Sequence, residues 1–506
     1  MTVAALSYGC DARSASQSGF ATTLTVGMEA APGSLDPRLA ADAGASRICA
    51  LLHCSLVEPD AEGGYSPSLA ASWQREADGS WLFRLRSDVL FHDGRPVTAN
   101  DVVATYRSVL ESTVASPKRA ALAAVKSIEA QGSDLVRFTL SEENPTLLDA
   151  ATLGILPAEQ TVGALDANTQ TGCGPYRIAR QGRDGEVQLT AFERWFGGRP
   201  TLAAITFRVV PDATMRVLEL RSGSLDLVEN ALEPDAVAYL AEHEPRVHVV
   251  TGPYDAVQYL GFNHRHPILR DLRVRRAIAY AIDREAIVAN LLRGQAVIAS
   301  GMLPPHHWAF DGNLRRYGYD PARARRLLDR AGFIDPDADG PQVRFHLRYK
   351  TSTVELRRRI AEVFAAQLAD VGIAIDIESN EWGTFFADIR RGDFDLYSLA
   401  WIGIRDPDLM RVAFDSRMVP PAGANRGFYA DARVDEVSER ARRTPDVHRR
   451  KQLYARLQRR SAARLPYVFL WWPRNVTVLS RRVEGFTPAA SGDLTGLAFA
   501  HLNAEP

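Results

Sequence analysis

Trp382 and Trp401 each stand beside charge: Glu381 precedes the first, and Arg405-Asp406-Pro407-Asp408 follows the second. Indole rings next to mixed charges suit an organic ligand in a cleft, where apolar area supplies burial and a few polar groups fix orientation. The guanidinium fork of Arg405 suits a carboxylate or phosphate, and Asp406 or Asp408 suits an ammonium. Asn425-Arg426, in GANRGFY, offers an amide and a second guanidinium toward the same place. Catalytic patterns are missing: there is no GxSxG, P-loop, HExxH or dinucleotide fingerprint, and no CxxC or Cys/His zinc spacing. A hydrolase assembled from Asp406, Asp408 and His266 lacks an evident base-nucleophile pair. His243-Glu244-Pro245-Arg246-Val247-His248 imitates a zinc-protease helix but has one residue too many, and Pro245 breaks the helix. His92-Asp93-Gly94 reads as a turn, and His306-His307, in a loop after two prolines, as solvent-facing. No metal and no cofactor are expected.

The stretch 372–410, GIAIDIESNEWGTFFADIRRGDFDLYSLAWIGIRDPDLM, must position most of these groups. Ile373, Ile375 and Ile377 alternate with Ala374 and Asp376, the period of a strand with one buried face. A helical patch of Phe385, Phe386 and Ile389 ends at Gly392, and FDLYSLAW then runs almost continuously apolar, as a strand covered on both sides does. Strand, helix, strand is a βαβ unit, whose ligand residues lie on loops beyond the strand ends.

A chain of 506 residues exceeds what one core serves, so two or three domains are expected. Hydrophobic content of 46% and charged content of 24% are ordinary for a globular protein, and a net charge of -1 argues against nucleic acid as a partner. Only Lys118, Lys126, Lys350 and Lys451 break the dominance of arginine among 60 basic residues, so a given arginine says little about a site. No apolar run approaches a membrane span. VAALSYG before Cys10, with the polar tail DARSASQSG after it, is similar to the end of a bacterial lipoprotein signal. Two readings stand, a lipid-modified Cys10 or a plain tail residue. Cys49 and Cys54, in the apparent helix RICALLHC, and Cys173, in a Gly-Cys-Gly-Pro turn, read as buried or spare thiols.

Along the chain, TTLTVGM is a first strand, and SWQREADGSWLFRLR a hairpin turning at Asp78-Gly79, followed by a short strand VLF. Thr98 opens a helix, and the region from about 45 to 175 reads as a small α+β unit. VQLTAF, AITFRVV, a helix from Asp212 to Arg221 and LDLV follow. Longer helices begin at Asp271, Asp283 and Pro321, and the stripe Leu356, Ile360, Val363, Phe364, Leu368, Val371 ends at Gly372. The arginine run Arg440–Arg464 reads as a solvated helical face, YVFLWW as a strand, and the tail from Asn475 as strand that pairs elsewhere.

The order of these pieces resembles the family 5 extracytoplasmic solute-binding proteins of ABC importers, the oligopeptide-, dipeptide- and nickel-binding group. PSLAASWQREADGSWLFRLRSDVLFHDGRPVTANDVV is its most specific piece; Gly174-Pro175-Tyr176, FERWFGGRP, LRSGSLDLV, LRDLRVRRAIAYAIDREAIV and YDPARARRLLDRAGF follow in the family's order. The resemblance implies an α/β, two-lobed periplasmic-binding fold: residues 1–21 a tail, 22–256 one lobe with 45–175 inserted, 257–473 the other, and 474–506 returning to the first. It implies capture of a peptide or peptide-like solute by a monomer in the interlobe cleft, for delivery to the permease subunits of an ABC importer. A ligand sensor or peptide chaperone using the same cleft is the alternative. It also places Trp382, Trp401 and the loop Gly33-Ser34-Leu35-Asp36 at the ligand, giving a candidate set of Ser34, Leu35, Trp382, Trp401, Arg405, Asp406, Asp408, Asn425 and Arg426. One departure stands out. Peptide-binding members carry an acid shortly after the Trp401 position, where this chain has Ile402-Gly403-Ile404. A buried ammonium without a partner costs several kcal/mol, so Asp406 or Asp408 takes that role or the ligand has no ammonium there.

Overall fold

A computed structural model describes residues 23–60, 64–111, 114–142, 144, 146–163, 165, 170–337 and 342–503. Cys10 lies outside the described residues. Two mixed sheets form the centres of two lobes. The first, seven-stranded, runs in the order Val247–Gly252, Asn475–Ser480, Leu227–Glu229, Thr23–Met28, Ala204–Val209, Val187–Ala191, Tyr176–Gln181. The second, six-stranded, runs Ala296–Ile298, Tyr467–Pro473, Ala256–Phe262, Leu396–Ile402, Phe345–Ser352, Ile373–Asn380. The chain passes from the first sheet to the second between Gly252 and Ala256 and returns between Pro473 and Asn475. A separate four-stranded antiparallel sheet, built around the hairpin Ala70–Arg75 and Trp81–Leu85, packs with helix Ala99–Leu110 over its own core of Phe83, Val102, Tyr106 and Phe138.

Local chemistry explains the elements that matter for the cleft. Thr23–Met28 pairs in parallel with both Ala204–Val209 and Leu227–Glu229, and Phe345–Ser352 in parallel with both Ile373–Asn380 and Leu396–Ile402. The strands flanking helix Trp382–Arg391 are therefore separated by a third, and Ile373–Asn380 takes the sheet edge. Phe385 and Ile389 of that helix are buried, Glu381 accepts a hydrogen bond from the Gly383 N–H, and Gly392 closes the helix at φ 80°. Only glycine adopts that angle without strain. The tail does pair away from its predecessor: Asn475–Ser480 inserts between Leu227–Glu229 and Val247–Gly252.

Two readings need correction. The VLF segment makes one bridge, Leu90 to Pro96, and no strand. The helix before Cys54 ends at Leu52, so Cys54 is free of the helical geometry, and it forms a disulfide with Cys173, 119 residues away. Cys49 remains a buried thiol, its pKa pushed up to about 12 by burial.

Candidate functional site

Parallel strands of both sheets aim their carboxyl ends at the space between the lobes, the place where open α/β sheets leave a crevice for ligands. Two chambers occupy it. One, of about 610 Å³, is lined by residues that follow those ends: Glu29 and Ala30 after the first strand, Asn230 after Leu227–Glu229, Arg357 after Phe345–Ser352, and Ile402. The other, of about 500 Å³, is lined by Pro37, Ala40, Ser46, Glu58, Lys118 and Asp493 of the first lobe and Gly403 and Arg405 of the second. Asp42, Arg47, Tyr254 and Ile402 line both, so the chambers adjoin. Ile402 is 61% exposed, an apolar side chain standing between two cavities with nothing covering it.

The first lobe's wall is held by caps and one buried pair. Asp42 accepts from the Ala45 N–H and fixes the start of helix Ala43–Leu52, while its other oxygen accepts from the Gly33 N–H. From that helix Arg47 donates to the Gly492 carbonyl at 2.9 Å and sits 3.0 Å from the Glu229 carboxylate. Burial pushes the Glu229 pKa up to about 7 against the pull of Arg47. Asp36 forks onto Arg38, which is fully buried and also donates to Ser108, Thr161 and Gly163, pinning loop 33–38 to the inserted unit.

The residues singled out from the sequence divide by place. Arg405 lines a chamber, and its buried Nε has no hydrogen-bond partner among the described residues. Trp382, Phe386, Arg426 and Trp401 form one stack: ring centroids of Trp382 and Phe386 lie 5.7 Å apart, and the Arg426 guanidinium lies 5.3 Å from Phe386 and 5.0 Å from Trp401. Arg357, on the wall of the larger chamber, caps the far end at 5.3 Å from Trp382, which is 47% exposed. Trp401 is half-buried, stacked on Tyr259.

The remaining candidates have their polar atoms engaged within their own lobes. Asp406 accepts from Arg450 at 2.7 and 2.9 Å, and buried Asp408 accepts from Arg411 and Tyr454. The readings of Asp406 or Asp408 as a free partner for an ammonium therefore meet a charge already paired. Asn425 is 1% exposed, its amide donating to the carbonyls of Asp415 and Tyr429, so it shapes its loop rather than facing the cleft. Leu35 packs in the first lobe's core, and Ser34 accepts from the Asp36 N–H.

Other expectations change with the packing. His307 is buried, not solvent-facing, its ring at 2.9 Å from the Arg405 carbonyl, and burial lowers its pKa to about 4. His306 sits 2.6 Å from Asp255 at the chain crossing. Arg450, within the supposed solvated face, is buried by its pairing with Asp406. Among the described residues no three His, Cys, Asp or Glu side chains group as metal ligands, and no helix is long and apolar enough to cross a membrane. Lys118, Arg47 and Glu229 were missed. The scarcity of lysine was the one available signal for Lys118; Arg47 and Glu229 gave none, being 182 residues apart.

Comparison with known proteins fits this geometry. The model of bacterial extracellular solute-binding proteins, family 5 (its middle part), matches residues 64–416. The oligopeptide-binding protein AppA of Bacillus subtilis is 27% identical over 93% of this chain and 90% of its own, and the probable di/tripeptide-binding protein 5 of Pseudomonas aeruginosa 28% over 93% and 94%. The solved structure of Bacillus subtilis AppA with a nonapeptide superposes with a TM-score of 0.79 at 25% identity, covering 95% of this chain and 99% of that one. NikA of Brucella suis in complex with Fe(III)-EDTA shares the fold, with a TM-score of 0.85 at 24% identity over 95% of this chain and 100% of that one. With that match spanning most of its length, the chain belongs to the bacterial extracellular solute-binding proteins, family 5.

Proposed function

We propose that this protein captures a peptide or peptide-like small organic solute between its lobes and delivers it, chemically unchanged, to the membrane subunits of an ABC importer. The observation that carries the reading is the pair of adjoining chambers, about 500 and 610 Å³, walled by both lobes at the carboxyl ends of parallel strands. The relatives named for peptide binding support the substrate class. In this reading Arg405 touches the solute, and Trp382, Trp401 and Arg426 form a stiff aromatic wall beside Arg357. Ser34, Leu35, Asp406, Asp408 and Asn425 hold the loops that carry the contacts. Enclosure by lobe closure supplies affinity: about 8 kcal/mol corresponds to a micromolar Kd. An oxidising, extracytoplasmic setting agrees with the Cys54–Cys173 disulfide. Attachment through a lipid on Cys10 belongs to the same proposal and would appear as label from radioactive palmitate in the expressing cell.

Native mass spectrometry of the purified protein tests the main claim. Co-purifying peptides or one peptide-like molecule, released intact, are the expected result. Turnover of the bound molecule, or a ligand unrelated to peptides, would overturn it.

A further inference from the structure

Lys118 and Arg405 face the 500 Å³ chamber from opposite lobes, and neither has a carboxylate to answer it. Among the described residues neither forms an ion pair, and the Arg405 Nε is buried without a hydrogen bond. The acids nearby are engaged elsewhere. Asp36 forks onto Arg38, Asp149 accepts from the Tyr65 hydroxyl, and Asp406 takes Arg450. On the chamber's own wall Asp42 caps its helix, Asp493 accepts from the Thr495 N–H, and Glu58 accepts from Ser68, its pKa raised by burial. Arg47, which lines both chambers, offers a contrast, being matched by Glu229 on the wall of the larger one. Burial holds the Lys118 ammonium below the usual lysine value and the neighbouring Arg405 charge adds to that, while Cys49 and Asp36 pull the other way.

We infer that Lys118 and Arg405 form an anion clamp: the solute carries a carboxylate, or another anionic group, that sits between them when the lobes are closed. The clamp deepens the proposed capture of a solute and rests on that reading only for the solute's peptide-like character. Its position across the cleft gives it a second consequence. Bringing the lobes together around an empty or neutral chamber drives two cations into a shared, partly desolvated space, which opposes closure. An anion reverses the sign, so closure is conditional on the charge of the guest.

Sulfate, a bare dianion, tests the clamp without presuming a peptide. In the full chain, sulfate at millimolar concentration should raise Tm by several degrees beyond chloride at equal ionic strength. The gain should disappear in Lys118→Met and in Arg405→Met and return in Lys118→Arg, with all variants melting normally in chloride. Should a variant fold poorly, Lys118→Gln provides the same charge loss at a more polar side chain. An equal sulfate gain in the wild type and both methionine variants overturns the clamp, as does no gain in the wild type, or a gain lost in both methionine variants but unrestored by Lys118→Arg. A second arm uses a random tripeptide mixture as free acids and as carboxyamides. Free acids binding at least tenfold tighter to the wild type, but not to Lys118→Met, support the clamp; equal binding of acid and amide to the wild type overturns it. Binding of neither removes the peptide reading, and the sulfate arm then decides the clamp alone.

Discussion

Arg450 reaches from helix Val447–Arg464 to both oxygens of Asp406, at 2.7 and 2.9 Å, with little of either side chain exposed. Arg450→Met would leave a carboxylate without its cation in a partly desolvated loop, at a cost of about 3 kcal/mol. Urea unfolding should show that loss; an unchanged midpoint would mean the pair is better solvated than its geometry implies. Glu229 gives a pH signature with a definite sign. Its folded pKa of about 7 lies above the ordinary 4.5, so the native protein keeps a proton that the unfolded chain has already released. Stability from this site is full below pH 4.5 and declines as pH rises to about 7. Glu229→Gln cannot ionise, so the variant should gain about 3 kcal/mol on the wild type between acid and pH 8, read from unfolding at a series of pH values. At this scale the sequence was half legible. Residue type drew attention to Arg405 and to Trp382 and Trp401, which stand at the two ends of one stack linked through Phe386 and Arg426. It said nothing of which charges already had partners, because Asp406 and Arg450 lie 44 residues apart and their meeting is a property of the packing.

Helix Trp382–Arg391 and the strand after it depend on one glycine for their angle. A Cβ at Gly392, besides φ of 80°, would collide with the Arg265 guanidinium and the Phe428 ring. Gly392→Ala should cost more than about 1 kcal/mol and tilt the helix that carries Trp382, seen as a change in tryptophan fluorescence together with a lower Tm. A silent substitution would show that the turn relaxes freely. The Cys54–Cys173 bridge ties the end of helix Ala43–Leu52 to the Gly-Cys-Gly-Pro turn across 119 residues. Replacing both cysteines with serine should cost about 2 to 5 kcal/mol, measured as the difference between oxidised wild type and variant in guanidinium. Element order and type were the most readable part of the sequence, since periods of 2 and 3.6 survive without knowledge of neighbours. The disulfide was not, because the reading ran the helix past Leu52, and only the true helix end frees Cys54 to turn toward its partner.

Across the whole molecule, ion pairs join the lobes on two rims of the cleft. Arg442 forks onto Glu142 at 2.9 and 3.1 Å, and Asp235 meets Arg293 at 2.6 Å. Half-exposed pairs of this kind are worth at most ~1 kcal/mol each and weaken with salt. Glu142→Gln combined with Asp235→Asn should therefore speed release of a bound solute several-fold at low salt, with little difference at high salt, by stopped-flow fluorescence. Equal rates at low salt would show that the rims play no part in closure. A second global property is acid sensitivity. His53 and His307 are buried and His92 and His264 half-buried, all in their neutral forms, desolvation lowering their pKa values to about 3 (His53), 4 (His307), 4 (His92) and 3 (His264). The unfolded chain takes up protons near pH 6.5 that these sites refuse, so stability present above 6.5 is lost as pH falls toward 4. A steep decline in unfolding free energy over that range is expected, and a flat profile would contradict the burial of these rings. The architecture as a whole came through in the order of motifs, while the chambers did not, their walls being gathered from strand ends, helix faces and turns scattered between Gly27 and Thr495.

Both described ends of the chain, the strand Thr23–Met28 and the final pair Val483–Glu484 with His501–Leu502, belong to the same lobe, where Leu24 and Leu502 meet one cluster. The other lobe is entered near Ala256 and left near Pro473 as a single excursion. Tension applied between the two termini would accordingly load only the first lobe, and the second would feel no pull until the first had given way. In an optical trap that predicts two rips in a fixed order, the larger released length coming first, since the host lobe holds more of the chain than the excursion.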